Sequence, residues 1–189
     1  MLSSRGRARM AKKRSDEKPG PPPSSVAGPL ASVPPDLLKL LDEPVIMHLG
    51  TRNAALEPMS ILAFGVERVG DGRELTVFVP AATSAETLAN LRDNGQLALA
   101  IVRPTDHRSL QIKGAWLGER RTAEADHERL SRYRDDLSEE MGLVGVPRSI
   151  WRRLLWWPAV ALRMEVREVF VQTPGRGAGR RLDDKGGAA

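Results

Sequence analysis

The sequence predicts a mainly β, α+β domain: six antiparallel strands closing, or nearly closing, into a barrel, with helices inserted at two places. Three observations predict it. Six stretches carry strand patterning, at 45–49, 59–66, 74–79, 96–102, 109–117 and 159–171. Most of their connections are hairpin-length, which favours antiparallel pairing over a parallel sheet. The chain also has no Gly-rich dinucleotide turn, no phosphate-binding Lys-Ser/Thr motif and no repeat at a fixed period.

Each element has a local reason. Asp36, after Pro34-Pro35, is placed to cap a short helix over 37–41. The first strand puts Val45, Met47 and Leu49 on one face, and a turn follows at Arg52-Asn53-Ala54-Ala55. Pro58 opens the second strand, where its missing N–H matters least. Val69-Gly70-Asp71-Gly72 is the clearest hairpin turn. The third strand leads into Thr83 and Glu86, whose spacing is that of a capping box. That predicts a helix over 84–93 with Leu88 and Leu91 on its apolar face, stopped by Asn94-Gly95. The fourth strand puts Leu97, Leu99 and Ile101 on one face, and residues 103–108 form a polar loop. Gly114 interrupts the fifth strand and predicts a bulge or a close backbone approach. Thr122 is placed to cap a helix over 123–140. Pro147 opens a shorter helix over 148–156, which Pro158 ends. The last strand alternates cleanly, Val160, Leu162, Met164 and Val166 against Ala161, Arg163, Glu165 and Arg167.

The 189 residues suffice for one domain with tails: a basic, Pro-rich tail over 1–33, the barrel over 34–173 and a Gly- and Arg-rich tail over 174–189, both tails expected to be disordered. The net charge of +5 is located in residues 1–20, where seven basic residues face two acidic ones. The rest is balanced, so the charge does not point to nucleic acid. With no cysteine, disulfides, thiolate metal sites and cysteine nucleophiles are excluded, and the three histidines share no metal-ligand spacing. No apolar run is long enough for a membrane span and no signal-peptide core opens the chain, so a cytoplasmic location is expected.

The start of the helix after the third strand carries the functional reading. Free N–H groups in its first turn, beside the hydroxyls of Thr83 and Ser84, suit an anion and above all a phosphate. Most capped helices bind nothing, so this end gains weight only from what surrounds it.

The order of motifs resembles the split-barrel flavoproteins of the pyridoxamine 5′-phosphate oxidase-like superfamily. The likeness spans about residues 41–118 plus the last strand. It is carried by the first hairpin, by Glu74-Leu-Thr-Val-Phe-Val-Pro80, by Thr83-Ser84 through Asn90-Leu91-Arg92-Asp93-Asn94, by the strand at 96–102 and by Gln111-Ile-Lys-Gly114. Each motif is degenerate, and their order is more specific than any one of them. The resemblance implies a six-stranded antiparallel split β-barrel, a homodimer, and FMN held at the subunit interface for oxidoreductase chemistry on a small molecule. Carried over, Thr83 and Ser84 would hold the phosphate and Met59, Ser60, Ile61 and Leu62 would line the ring. Gln111 or Lys113 would face the ring or the phosphate. Thr87 and Glu86 stand where many relatives have basic residues, a loss that Arg52, Arg92, Arg103, Arg108 or Lys113 would compensate, from this subunit or the partner. A non-catalytic module on the same fold, holding haem, a deazaflavin or flavin in a stress-associated role, is the alternative that this departure favours.

No side chain reads as a convincing acid or base, so no catalytic residue is named. His48 is expected to be structural or solvent-facing in preference to catalytic, Trp116 to pack in the core or a dimer contact in preference to stacking on a flavin, and Arg152 and Arg153 to be surface charges in preference to meeting an anionic substrate. Asp135, Asp136, Glu139 and Glu140 are expected to form a solvated helix end, not a metal site. Trp151, Trp156 and Trp157, with Leu154 and Leu155, are expected to cover a barrel end, or else to wall a substrate pocket or meet a partner subunit.

Overall fold

A computed structural model describes residues 28–182, and the sheet in it closes at one bent strand. Eight strands are present: β1 (Ile46–Arg52), β2 (Pro58–Ala63), β3 (Val66–Val69), β4 (Glu74–Pro80), β5 (Gln96–Val102), β6 (Ser109–Arg120), β7 (Ala159–Val171) and β8 (Arg181–Leu182). Their order is β2-β1-β5-β6-β7-β4-β3, every pairing antiparallel, with the two-residue β8 on β7. The strands at the two ends of that path, β2 and β3, are halves of one segment, bent at Phe64-Gly65. Its first half pairs with β1 and its second with β4. At the bend, Phe64 N–H donates to Phe78 O at 2.8 Å and Phe78 N–H donates to Gly65 O at 3.0 Å. The ladder is therefore continuous around the ring, and the expected six-stranded antiparallel barrel is present. The expected second strand, 59–66, is the one that bends: Gly65 takes φ of +137°, a conformation open to glycine and strained for other residues.

The pleat sends Met47, Leu49, Val77, Leu99, Ile112 and Met164 into the barrel, all essentially inaccessible to solvent. Gly114 sits at a register shift between β6 and β7, where a Cβ would come within 1.9 Å of Glu165 O. The close approach expected there is thus real. The turn after β3 runs through Gly70 and Gly72, both at positive φ, as the hairpin reading requires.

Among the described residues, four α-helices decorate the barrel: α1 (Pro35–Leu38), α2 (Ala85–Asn94), α3 (Glu124–Leu143) and α4 (Arg148–Arg152). Several expected ends differ. Asp36 lies inside the first turn of α1 with Pro34 at the cap and Pro35 at N1, where its ring is preorganised, and the rest of the expected helix is a 3₁₀ turn, Lys39–Leu41. Thr122 does not cap α3. The cap is Ala123, whose N–H donates back to Asp126 Oδ2 at 2.8 Å. The α4 helix stops at Arg152, short of 156, and 153–158 runs irregularly into β7. The packed region also exceeds 34–173. A 3₁₀ turn, Gly28–Ser32, buries Leu30, and β8 buries Leu182. Residues 1–27 and 183–189, and with them most of the two expected tails, lie outside the described residues.

The α3 helix covers the outside of the barrel over Phe78 and Ala161, where Leu130 is buried. One polar cluster fixes it there. Asp126, 5% exposed, accepts from Arg120 Nη1 at 2.6 Å, Arg120 Nη2 at 2.9 Å and Arg129 Nη2 at 3.0 Å. Glu67 on β3 joins both arginines. The two guanidinium groups lie over the Phe78 ring, 5.2 and 4.7 Å from its centroid. The Arg120 hydrogen bonds, the Ala123 N–H and the charges of both arginines hold the Asp126 carboxyl at about 2, against a usual 3.8 and against the opposing effect of burial. Further along, Trp151 of α4 packs with Leu137 and Met141 of α3, and Tyr133 Oη donates to Val45 O.

Two predictions follow from this packing. Gly114→Ala forces β6 from β7 and lowers stability by about 1–3 kcal/mol in urea melts, as overpacking does; an unchanged midpoint would contradict the close approach. Asp126 is depressed when folded, so its contribution is full above its unfolded pKa of 3.8 and lost as pH falls toward about 2. Stability therefore falls across that window, and Asp126→Asn lowers it near neutral pH while flattening the acid limb. An acid limb that is the same in both proteins would show that Asp126 does not carry it.

Candidate functional site

A cleft of about 550 Å³ opens beside the bend. One wall is β2. Ile61 points into the core and is buried, while Ser60 and Leu62 point outward, as alternation demands. Outward on β1 beside them is His48, opposite Leu62 in register, with its Nδ1 3.3 Å from Ser60 Oγ. Met59 and Phe64 complete this wall. The opposite wall is Pro80, at the end of β4, and Thr83, in the 3₁₀ turn Ala81–Thr83. Arg153, Leu154 and Leu155, from the segment between α4 and β7, form the third side. Ala81 N–H donates to Pro158 O at 2.8 Å and ties the second side to the third.

Thr83 therefore lies in one cleft with Met59, Ser60, Ile61 and Leu62, which are separate in sequence. The start of α2 differs from expectation. The helix begins at Ala85 with Ser84 as its cap, and the Thr83–Glu86 capping box does not form. The 3₁₀ turn runs straight into the helix, so Ser84 has φ −88° and ψ −4°, whereas a capping residue ordinarily sits in the β region. Its Oγ donates instead to Ala81 O at 3.1 Å. No side chain caps the first turn, so the N–H groups at the start of α2 are left to solvent or a ligand.

The other expected site residues lie elsewhere. Ser84 is 2% exposed and Thr87 fully buried, with Thr87 Oγ1 lacking any hydrogen-bond partner. Thr87 faces inward beside Asn90, whose Nδ2 donates to Thr51 Oγ1 at 3.2 Å. Gln111 and Lys113 share the outward-facing rows of the sheet with His48 and Gly50, two strands away across β5. Lys113 lines a second, shallower cleft of about 400 Å³ with Gly50, Arg52, Gln96 and Arg167, and its Nζ lies 4.7 Å from the centre of the Phe170 ring. Trp116 packs against the barrel core, as one of its two expected roles requires. Phe64 and Pro80 were not legible as site residues, whereas Arg153, Leu154 and Leu155 carried a contact to an anionic substrate and a pocket wall as their second readings. The signal for the wall is the apolar Leu154-Leu155 pair in a segment that needs cover.

No protein-family model and no curated protein matches the chain. Solved structures do resemble it. An FMN-binding protein from Syntrophomonas wolfei subsp. wolfei is 15% identical, with 75% of this chain and 89% of that chain covered and a TM-score of 0.47. An F420 reductase is 17% identical over 72% of this chain and 98% of that chain, with a TM-score of 0.49. The haem storage protein HutZ from Vibrio cholerae is 15% identical over 72% and 92%, with a TM-score of 0.43. The solved structures that match include one described as a putative pyridoxamine 5′-phosphate oxidase. At such identities and TM-scores the function is to be read from the cleft itself. Among the described residues, no helix is long and apolar enough to cross a membrane.

Proposed function

We propose that the protein binds FMN in the cleft between β2 and the β4–α2 turn, and that it is a flavin-dependent oxidoreductase acting on a small molecule. The observation that carries this reading is that residues 59–62 and Thr83, apart in sequence, line one cleft of about 550 Å³. That volume suits a cofactor-sized ligand, and the walls mix apolar surface with few polar groups, as such sites do. Met59, Leu62, Leu154 and Leu155 offer apolar surface to a flat ring, and Ser60, His48 and Thr83 offer hydrogen-bonding groups at its edges. The uncapped start of α2 adjoins Thr83 and favours an anionic end.

Bound flavin would supply the two-electron chemistry, and the protein would supply position, exclusion of water and hydrogen bonds to the ring. Ser60 and Leu62 would fix the plane of the ring from β2. His48, held by Ser60, is the one imidazole in the lining and is placed to give or take a proton at the edge of the cleft. The outward face running from His48 across Ala100 to Gln111 carries small and half-exposed residues, a surface on which a second copy of the chain would complete the site. In that homodimer the partner's face would bring Gln111 and Lys113 toward the ligand.

Titration of the purified protein with FMN tests the reading. Saturable binding is expected, with a perturbed flavin band between about 350 and 500 nm. Ser60→Trp, on the exposed side of β2, should block the cleft and abolish binding without lowering the melting temperature. Absence of binding at high FMN concentration, or binding indifferent to Ser60→Trp, would reject it.

A further inference from the structure

We propose that Arg153 is the cation of this cleft, and that it makes the site selective for a ligand ending in a phosphate over the same ring without one. The inference rests on the flavin reading above. It comes from elimination followed by placement. The five basic side chains that sequence reasoning offers as replacements for the missing cations are engaged elsewhere. Arg52 Nη2 donates to Gln96 Oε1 at 3.1 Å and its Nη1 to Asn53 O at 3.2 Å. Arg92 pairs with Glu119 at 3.0 Å. Arg103 pairs with Glu43 and Asp106, and Arg108 Nε with Asp106 at 2.7 Å. Within its own chain Lys113 lines the other cleft, over Phe170.

Arg153 differs on both counts. It lines the cleft together with Thr83, and its guanidinium has no hydrogen-bond or ion-pair partner among the described residues. It is also the only cationic side chain in that lining, which contains no carboxylate. Its backbone is nevertheless held in place. Arg153 N–H donates to Ile150 O and Leu154 N–H to Trp151 O, both at 3.2 Å, and Trp151 is buried against Leu137 and Met141. The turn thus leaves an exposed guanidinium, unpaired among the described residues, in the lining that Thr83 shares, and the uncapped start of α2 follows Thr83 in the chain. A phosphate there would accept from both: a planar guanidinium offers paired donors to its oxygens, and the helix start offers N–H groups. Glu86, in the first turn of α2, opposes an anion at that end, so a compensating positive charge is required.

The consequence is structural as well as electrostatic. The cation reaches the cleft from the α3–α4 insertion and not from the barrel or from α2.

The test is a titration of the full-length protein, and of Arg153→Gln, Arg153→Lys and Arg152→Gln, with FMN and with riboflavin, which lacks the phosphate. The wild type should prefer FMN by about ten- to a hundredfold, the worth of a charge-assisted hydrogen bond. Arg153→Gln should remove most of that preference by weakening FMN alone, Arg153→Lys should restore part of it, and Arg152→Gln, outside the lining, should leave both affinities as they are. Equal wild-type affinity for the two ligands would overturn the inference and leave the flavin reading standing. So would an Arg153→Gln protein that keeps its preference, or one that loses both ligands equally. A wild type that binds neither flavin would overturn both.

Discussion

Closure of the barrel depends on the two hydrogen bonds between Phe78 and the Phe64-Gly65 bend. Without that bend the sheet would have two open edges, β2 and β3, each a row of unpaired backbone groups. With it, one segment serves both edges. The bend needs glycine for its backbone torsion. Gly65 has φ of +137°, and a Cβ there would come within 2.8 Å of Leu130 Cδ2. That contact links closure to α3, since Leu130 is the residue that α3 buries against the barrel. Phe78 makes the same link from the other side, pairing with the bend through its backbone while its ring lies under Arg120 and Arg129.

The cleft is a by-product of this geometry. Residues 59–62 belong to the half of the bent segment that pairs with β1, so their outward side chains face away from the barrel beside His48. After the bend the chain returns along β4 and leaves the sheet at Pro80, which brings Thr83 back to the same place. The third side comes from an insertion nearly seventy residues further on, fixed by α3 and by the hydrogen bond from Ala81 to Pro158. Polar and apolar contributions are thus divided among three elements, and each is anchored by a contact remote from the cleft. Preorganisation of that kind keeps the binding energy from being spent on ordering the walls.

Much of this was legible in the sequence, for identifiable reasons. Strands such as 159–171 announce themselves by alternation, the β3–β4 turn by its glycines, and the β6 irregularity by Gly114. The bend was not legible, because Phe64-Gly65 interrupts an apolar run without a charge or proline to mark a break. The helix caps were misread because the Ser/Thr-x-x-Glu pattern is local, and the 3₁₀ turn that sets the Ser84 torsions is decided by how β4 leaves the sheet. At α3 the useful half of the pattern was the carboxylate of Asp126, which serves Ala123 and not Thr122. In the site, Met59 to Leu62 and Thr83 line one cleft. Arg153 lies in no motif and read first as a surface charge, second as a contact to an anionic substrate; the fold places it in one cleft with Thr83.

Hydrogen–deuterium exchange with and without FMN tests the central claim, that the bent strand, the β4–α2 turn and the 153–155 segment form one ligand site. The account predicts slower exchange on FMN addition in peptides covering 58–64, 80–88 and 150–155 together, with little change in the strands on the far side of the barrel. Protection confined to the cleft around Gly50, Gln96 and Lys113, or no protection in any of the three segments, would contradict it.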